Sequence, residues 1–411
     1  MQRQGSSPTP VGPADFQLMK VVGKGGYGKN ECIDSVITTP NFQVVQARGK
    51  QCGKIYALKV VDKPDSAMDE NHLRNEIKVL QNIKSPFLCE MSHCFETDEK
   101  VYMALEFMHG GEMFTLLNRV EKFTEEETRF YTAELILALG HLHSNDVIYR
   151  DLKHSNVLIN RFGHVKLTDF GFCKFNFPKG KKTSTFCGTI EFMAPEIVKC
   201  DPYGHEVDVW SLGCLVYDML TGGPPFIGDT DEETKLNIMN KPLRLQASFS
   251  AECRELLQRM LKRRVNSRIE IEELKELDFF CNMDWKVLAA QNYPPPFKPE
   301  VIGDEDVSQF EACFTDLPPQ ESPCKVMRTV EKIVNTDPFV GFDYDGEPKQ
   351  TSPALKSKSS ACRVSLFPYI MHLFQLETTP KFKENQPQTT PPEVMFSSVS
   401  SALLHTPDSP P

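Results

Sequence analysis

The sequence predicts an α+β fold in which a small, mostly antiparallel sheet with one helix precedes a larger helical region. Short apolar runs rich in β-branched and aromatic residues, typical of strands, occupy 16–23, 54–61 and 100–107. Between the last two runs, apolar residues recur at helical spacing within 69–84. Helical patterns dominate after Gly110, so strands come first and helices follow.

Two helices are clearly indicated in the second region. Thr124 and Glu127 form a capping-box sequence, in which a hydroxyl and a carboxylate satisfy free amides at a helix start. The segment 207–220 is apolar nearly all round and predicts a buried helix, which is too short and too interrupted to span a membrane. Residues 1–14 and 346–411 are polar and rich in Ser and Pro, and they are predicted to be tails, the second one disordered.

The composition restricts the possible function classes. A formal net charge of −10 over 411 residues argues against a nucleic-acid or membrane-surface binder, because such binding needs clustered Lys and Arg. The 13 cysteines are odd in number and lack a C-x-x-C pair, which favours free thiols in a reducing compartment. The N-terminus has no signal-peptide pattern, and no apolar run approaches the roughly 18 residues that span a bilayer. We therefore expect a cytoplasmic protein, with the nucleus as a further location.

A glycine-rich stretch lies between the first two predicted strands. Gly23, Gly25 and Gly28 form G-x-G-x-x-G, where missing side chains let backbone amides approach an anion. Taken alone, this pattern is more typical of a glycine-rich hairpin turn, so its meaning depends on the residues that follow.

Charged and polar residues farther along the chain fit phosphoryl transfer. Lys59 lies in a predicted strand from which an ammonium can reach phosphates, and Glu76 lies on the next helix, where a carboxylate can hold that ammonium. Asp151 and Asn156 are five residues apart in YRDLKHSN, and TDFG supplies Asp169. A carboxylate near a hydroxyl nucleophile, with an amide and a second carboxylate that bind hard cations through oxygen, is what phosphoryl transfer requires.

Five motifs in this order, the glycine loop, ALKV, YRDLKHSN, TDFG and MAPE, resemble those of the eukaryotic protein kinases. The resemblance implies a two-lobed protein kinase fold, with a small β-rich lobe at about 15–107 and a larger helical lobe at about 108–281. It implies that ATP binds between the lobes, that Asp151 accepts or orients the substrate hydroxyl, and that Asn156 and Asp169 hold Mg²⁺. The residues implied to carry catalysis are Asp151, Lys153, Asn156, Lys59 and Glu76. Those implied to bind ATP are Val21, Gly23, Lys24, Gly25, Gly26, Tyr27, Gly28, Lys59, Glu106 and Met108.

Other positions match the family residue by residue. Lys153 and Thr189 resemble the serine/threonine type, because tyrosine kinases carry a different catalytic-loop sequence. Tyr149 stands where the family usually has His. Leu105, Glu106 and Met108 match the hinge that meets adenine. Asp208 matches the buried acid that anchors the catalytic loop, and Arg268 matches the ion-pair partner of Glu196 in MAPE.

The later segments resemble the AGC kinases, and DVSQF followed by Ser-Pro is most similar to the ribosomal protein S6 kinases. The similarity covers about 15–345 and implies an AGC C-terminal extension at 282–345. Thr185 matches the activation-loop phosphorylation site, where a phosphate is expected to draw Arg150 against it and order the loop. Ser322 matches the turn-motif site, and the anchors that dock the extension on the small lobe are matched by Phe339, Phe342 and Tyr344.

The resemblance also implies partners. Glu112 and Asp218 match acids that receive substrate arginines, so expected substrates carry Arg a few residues before Ser or Thr, with ribosomal protein S6 among them. A phosphoinositide-dependent protein kinase is the implied upstream kinase, in growth and nutrient signalling. The target-of-rapamycin complex is a further implied partner, although the N-terminal tail lacks the acidic, Phe-containing motif that recruits it. We expect a monomer without a second catalytic domain.

The glycine loop departs from the family pattern. The family places Val two residues after the third glycine to cover adenine, but Asn30 stands there and VVQAR resumes only at Val44. If Asn30 to Gln43 loops out, closure entropy is tolerable, since doubling a loop adds only about 0.6 kcal/mol, whereas interrupting the strand costs more. Three hypotheses remain open: a kinase with weakened ATP binding, a segment that active molecules lack (an alternative exon or translated intron), and a pseudokinase scaffold that binds partners without ATP.

Two further positions depart from the family. Asp343 stands where relatives carry a phosphorylatable Thr or Ser, and its single negative charge predicts partial, unregulated docking of the extension. In KHSN, Ser155 replaces a substrate-facing carboxylate, which predicts a weaker preference for substrates that contain arginine.

Overall fold

The computed structural model describes residues 11–25, 41–64 and 66–321. Five strands form one antiparallel sheet in the order β1-β2-β3-β5-β4. These strands are β1 (Phe16–Gly25), β2 (Phe42–Gly49), β3 (Ile55–Asp62), β4 (Met91–Glu96) and β5 (Lys100–Glu106). The three predicted strand runs correspond to β1, β3 and β5, so the predicted antiparallel sheet is confirmed.

One main helix, α1 (Ala67–Asn82), accompanies this sheet. Ser66 caps it, because its hydroxyl accepts a hydrogen bond from the Asp69 amide at 3.1 Å. Leu73 and Ile77, which the helical spacing singled out, are almost completely buried in the main hydrophobic cluster. Burial of this face fixes α1 beside the sheet and carries Glu76 toward β3.

The second lobe is mainly helical, as predicted. Its helices up to residue 260 are α2 (Met113–Val120), α3 (Glu125–Ser144), α4 (Pro195–Val198), α5 (Glu206–Thr221), α6 (Asp231–Asn240) and α7 (Ala251–Met260). Between α3 and α4, β6 (Val157–Ile159) and β7 (Val165–Leu167) form a small antiparallel sheet. The capping box at α3 is present in both directions, since Thr124 Oγ1 accepts from the Glu127 amide and Glu127 Oε2 accepts from the Thr124 amide. Helix α5 is the predicted buried helix, with Trp210 fully enclosed.

The chain beyond residue 281 crosses from the helical lobe to the sheet. It forms α8 (Trp285–Ala289) and α9 (Ala312–Thr315). Between them, the Asp304 carbonyl lies 3.2 Å from His109 Nε2, and the Gln46 side-chain amide donates to the Glu305 carbonyl at 3.1 Å. The observed architecture is therefore the predicted α+β fold with a C-terminal extension. Within the described ranges, no helix has both the length and the hydrophobicity required to cross a bilayer.

The start of β2 corrects the predicted limits of the insertion. We expected 30–43 to loop out and to interrupt the strand, but β2 already begins at Phe42 and continues unbroken to Gly49. Val44 pairs with Gly23, and Phe42 pairs with Gly25, so Phe42 and Gln43 extend the ladder. Backbone hydrogen bonds on both sides, to β1 and β3, hold these two residues in the sheet.

Candidate active site

Lys59 and Glu76 form a buried ion pair between the sheet and α1. The Lys59 ammonium lies 2.6 Å from Glu76 Oε1, and both side chains are less than one-tenth exposed. Lys59 occupies the middle of β3, opposite Val44 on one side and Met103 on the other, so pairing on both edges fixes its position. The sequence predicted this pair, and the structure brings the two residues together.

The same ammonium also faces the acid of the TDFG motif. Asp169 Oδ1 lies 3.6 Å from Lys59 Nζ. Burial disfavours the charged form of Lys59, but attraction to Asp169 and Glu76 outweighs it and raises the pKa of the ammonium. Burial likewise disfavours the Asp169 carboxylate, but Lys59 and Lys153 together lower its pKa. The site therefore holds a charged lysine beside a charged Asp169 at neutral pH.

Asp151 is the centre of a hydrogen-bonded network in the catalytic loop. Its Oδ2 lies 3.1 Å from Lys153 Nζ and accepts from the Asn156 side-chain amide at 3.0 Å. Its Oδ1 accepts from the Thr189 hydroxyl at 2.8 Å, and that hydroxyl accepts from Lys153 Nζ at 2.8 Å. The sequence used Thr189 only as a mark of kinase type and missed its contact with Asp151. The carboxylate is thereby fixed in one orientation, as a group that accepts or orients a proton must be.

Asp208 anchors the backbone of this loop from inside the helical lobe. Its carboxylate is fully buried and accepts from the Tyr149 amide at 2.9 Å and the Arg150 amide at 2.8 Å. Arg150 and Asp169 have positive φ angles of 74° and 55°, a conformation that costs free energy for residues other than glycine. The Tyr149 hydroxyl donates to the Thr168 carbonyl, next to Asp169. Tyr149 thus links the two strained turns of the site.

Asn156 and Asp169 offer the donor atoms that Mg²⁺ prefers. The Asn156 amide nitrogen donates to the Asp151 carbonyl at 2.8 Å as well as to its carboxylate, which leaves the amide oxygen for a cation. One carboxylate and one amide are too few for a site made of protein alone, and 11–25, 41–64 and 66–321 contain no cluster of three acidic, His or Cys ligands. This donor set fits a magnesium ion whose remaining ligands are water and phosphate oxygens.

An apolar cluster lies beside the predicted hinge. It contains Val22 and Phe107, with Val44 and Phe310 packed against them. The rings of Phe107 and Phe310 stack at 5.4 Å, so the C-terminal extension contributes to this cluster, which the sequence did not reveal. Val21, the predicted nucleotide contact, is fully buried, whereas its neighbour Val22 belongs to this cluster. Val22 lies at the register shift between Val21 and Gly23, a bulge in β1.

The other described residues that are predicted to bind ATP lie on β1 and at or just after the end of β5. Gly23 and Gly25 belong to β1, and Lys24 between them is exposed. Glu106 ends β5, and its carboxylate accepts from Lys166 Nζ at 2.6 Å, which ties the hinge to β7. Met108 is buried, and its carbonyl accepts from the Gly111 amide at 3.0 Å. Gly26, Tyr27 and Gly28 lie outside the described residues.

The activation segment brings basic groups close to the exposed Thr185. Arg150 donates to the Tyr203 hydroxyl at 3.2 Å, and that hydroxyl donates to the Thr185 carbonyl at 2.6 Å. Lys174 donates to the Thr183 hydroxyl, which lies 3.3 Å from the Thr185 hydroxyl. Arg150 is thus connected to Thr185 through Tyr203, and Lys174 is a second cation that the sequence analysis missed. Its position five residues after Asp169 was the available signal.

The two acids predicted to receive substrate arginines differ in exposure. Glu112 is half-buried. Burial and the nearby negative charge of Glu311 raise its pKa to about 7, although the positive charge of Lys153 acts in the opposite direction. Asp218 is almost fully buried in α5, and burial raises its pKa to about 6. His154 of the KHSN segment lies next to Asp218, with Nε2 3.6 Å from Oδ2. Asp218 is therefore much less accessible than Glu112 in this structure.

Three predicted regulatory positions have different outcomes. Thr185 is exposed on the activation segment, whereas Ser322 and Asp343 lie outside the described residues, as do Phe339, Phe342 and Tyr344. Glu321 precedes Ser322 and accepts from the Tyr102 hydroxyl at 2.9 Å and from Lys100 Nζ at 3.1 Å. The last described residue of the extension therefore lies on β5 of the sheet.

The chain belongs to the protein kinase family. The protein kinase domain matches residues 16–280, and the protein kinase C terminal domain matches residues 301–344. The second match overlaps the segment that the sequence predicts to be an AGC C-terminal extension, and relatives such as Sgk1 are named serine/threonine-protein kinases. The pseudokinase alternative finds no support in these comparisons.

Several curated kinases are similar over most of this chain. The ribosomal protein S6 kinase beta of Caenorhabditis elegans is 44% identical over 342 residues, which cover 81% of this chain and 60% of the relative. A RAC family serine/threonine-protein kinase homolog of Dictyostelium discoideum is 41% identical, covering 84% and 75%. The serine/threonine-protein kinase Sgk1 of Danio rerio is 40% identical, covering 82% and 77%. The chain thus spans about three-fifths of the length of the nematode kinase.

Proposed function

We propose that this chain transfers the γ-phosphate of ATP to Ser or Thr side chains of proteins. The observation that carries the proposal is the joint presence of the Lys59–Glu76 ion pair at 2.6 Å and the hydrogen-bonded Asp151 network. Protein kinases require a strand lysine held by a helix glutamate and a positioned catalytic-loop aspartate at the same time. A scaffold that had lost phosphoryl transfer would have no need to keep both.

Each polar group of the site has a distinct task in this proposal. Lys59 binds phosphate oxygens, and Glu76 keeps its ammonium directed into the cleft. Asp151 accepts or orients the proton of the attacking hydroxyl, while Lys153 offsets negative charge beside it. Asn156 and Asp169 would hold Mg²⁺, which neutralises phosphate charge when bound.

A direct assay tests this function. Purified chain, phosphorylated on Thr185, is mixed with radiolabelled ATP, Mg²⁺ and an arginine-rich Ser peptide, and label in the peptide is counted. We expect transfer that EDTA abolishes, and the same assay on a chain without 30–41 measures how far that segment weakens ATP binding. Failure of both chains to label the peptide, while neither binds ATP, would refute the proposal.

Substrate recognition is proposed to depend on pH through Glu112 and Asp218. Their raised pKa values of about 7 and about 6 mean that both become anionic as the pH rises from 6 to 8. Because substrate guanidinium groups bind the ionised carboxylates, we expect the KM for an arginine peptide to rise about tenfold from pH 8 to pH 6. Steady-state assays with saturating ATP measure this change. A peptide with Ala in place of Arg is the control, and equal pH profiles for the two peptides would contradict the prediction.

Phosphorylation of Thr185 is proposed to activate the enzyme. A phosphate there adds about −1.5 to −2 charge near Arg150 and Lys174, which would order the activation segment. We expect Thr185→Ala to remove the activation that an upstream kinase produces, about tenfold or more in kcat/KM. Ser184→Ala, an exposed neighbour, is the matched control. Full activation of Thr185→Ala would show that another position carries the effect.

The similarity to S6 kinases supports more specific proposals about biology. Ribosomal protein S6 is a candidate substrate, and a phosphoinositide-dependent protein kinase is the candidate for Thr185, with the target-of-rapamycin complex a further candidate input. A cytoplasmic location, extending to the nucleus, and a role in growth signalling complete this proposal. Phosphorylation of purified S6 by the chain, compared with S6 whose serines are changed to Ala, tests the substrate.

A further inference from the structure

Phe42 lies on the phosphate side of the proposed nucleotide cleft. Its ring contacts the glycine-rich strand so closely that a Cβ added at Gly25 would lie 2.2 Å from Phe42 Cζ. The centre of the ring is 4.9 Å from Lys59 Nζ. Gly25 and Phe42 are direct partners in the β1–β2 ladder, so the strand register holds the ring against the glycine.

The ring therefore stands between the two groups that hold phosphate in a protein kinase. The glycine-rich loop covers the phosphates of ATP, and the strand lysine binds them with its ammonium. An aromatic face attracts an ammonium within about 6 Å of its centre, so the ring and a phosphate are alternative partners for the same cation. Glu76 stays 2.6 Å from Lys59 in this arrangement, so the ring does not disturb the lysine–glutamate pair.

The insertion explains how an aromatic ring comes to be there. The β1–β2 ladder places Val44 opposite Gly23, which sets Phe42 opposite Gly25 two residues farther along. Residues two apart on a strand share a face, so Phe42 lies on the same face of β2 as Val44, which packs in the apolar cluster beside the hinge. Phe42 is partly buried and packs against the main hydrophobic cluster, so the ring has contacts that favour its present position.

We propose that Phe42 is a specificity-determining residue of the nucleotide site, whose ring competes with the triphosphate for the space between Gly25 and Lys59. This inference rests on the proposed function, since it requires ATP as the nucleotide. ATP binds after the ring turns away, and its apparent affinity is lowered by the fraction of molecules in which the ring lies between the two groups. Adenosine, which has no phosphate, binds without that movement.

Binding measurements on the full chain test the competition. Isothermal titration gives the Kd of Mg-ATP and of adenosine for the unchanged protein and for Phe42→Ala. We expect Phe42→Ala to lower the Kd for ATP about tenfold and to leave the Kd for adenosine unchanged. A tenfold change in Kd corresponds to the strength of one partly desolvated cation–π contact. Phe42→Leu, which keeps apolar bulk without an aromatic face, should lower the Kd for ATP to a smaller extent.

The control is Phe162→Ala, which makes the same chemical change at a residue that is 59% exposed in the turn between β6 and β7. An unchanged or weaker ATP affinity in both Phe42 variants would overturn the inference and leave the proposed function standing. An equal gain for ATP and adenosine would overturn it too, since the effect would then not involve phosphate. If no variant bound either ligand, the proposed function itself would fail.

Discussion

Asp151→Asn is expected to lower kcat about a thousandfold while leaving the Kd for ATP almost unchanged. The substitution keeps the size of the side chain but removes the charge that accepts or orients the proton of the substrate hydroxyl. It also sets a second amide against the Asn156 amide, which now donates to Asp151 Oδ2 at 3.0 Å. In the proposed function ATP would be held by Lys59 and by Mg²⁺ on Asp169, so nucleotide binding should not depend on the Asp151 charge.

The measurement is steady-state phosphorylation of an arginine-rich peptide at saturating Mg-ATP, together with titration of ATP binding. Asp201→Asn is the matched control, since it makes the same chemical change at an exposed position. A kcat within tenfold of the unchanged enzyme would mean that Asp151 does not have the proposed role. A loss of ATP binding would instead indicate a collapsed site.

Arg268→Ala is expected to have the largest effect on stability. The Arg268 guanidinium donates to both carboxylate oxygens of Glu196, at 2.6 and 2.9 Å, and both side chains are buried. It also donates to the carbonyls of Lys262 and Glu206 and lies over the Trp210 ring. Removing the guanidinium leaves a buried carboxylate without its countercharge, which typically costs about 3–5 kcal/mol.

Urea denaturation of the unchanged protein and of Arg268→Ala, monitored by tryptophan fluorescence, measures this loss in the free energy of unfolding. The comparison variant is Arg259→Ala, whose exposed ion pair with Glu255 at 3.5 Å is worth less than about 1 kcal/mol. If Arg268→Ala does not fold, Glu196→Gln together with Arg268→Met should recover part of the stability, because neither charge is then buried alone. Equal losses for Arg268→Ala and Arg259→Ala would contradict the argument.

The parts of the site that lie in short motifs could be predicted from the sequence. Lys59, Asp151 and Asp169 could be identified because each belongs to a short segment whose residue types suit phosphoryl transfer. The strands and the buried helix α5 were predictable for a similar reason, since hydrophobic periodicity is a local property of the chain.

Contacts between distant segments could not be predicted in this way. Thr189 reaches Asp151 from 38 residues away, and Asp218 is buried beside His154 through the packing of α5 under the catalytic loop. The sequence predicts a loop at Phe42, because nothing in the local sequence indicates which residue of β1 Phe42 will face. Each of these outcomes depends on how two separate elements meet.

The sequence by itself determined the family and the α+β fold, and it predicted which residues carry phosphoryl transfer. Only the tertiary structure decided that β2 starts at Phe42, that Val22 rather than Val21 joins the hinge cluster, and that a phenylalanine ring faces Lys59. The physical reason is that residue type and spacing are local, whereas strand register and side-chain packing are set by the burial and hydrogen bonding of the whole domain.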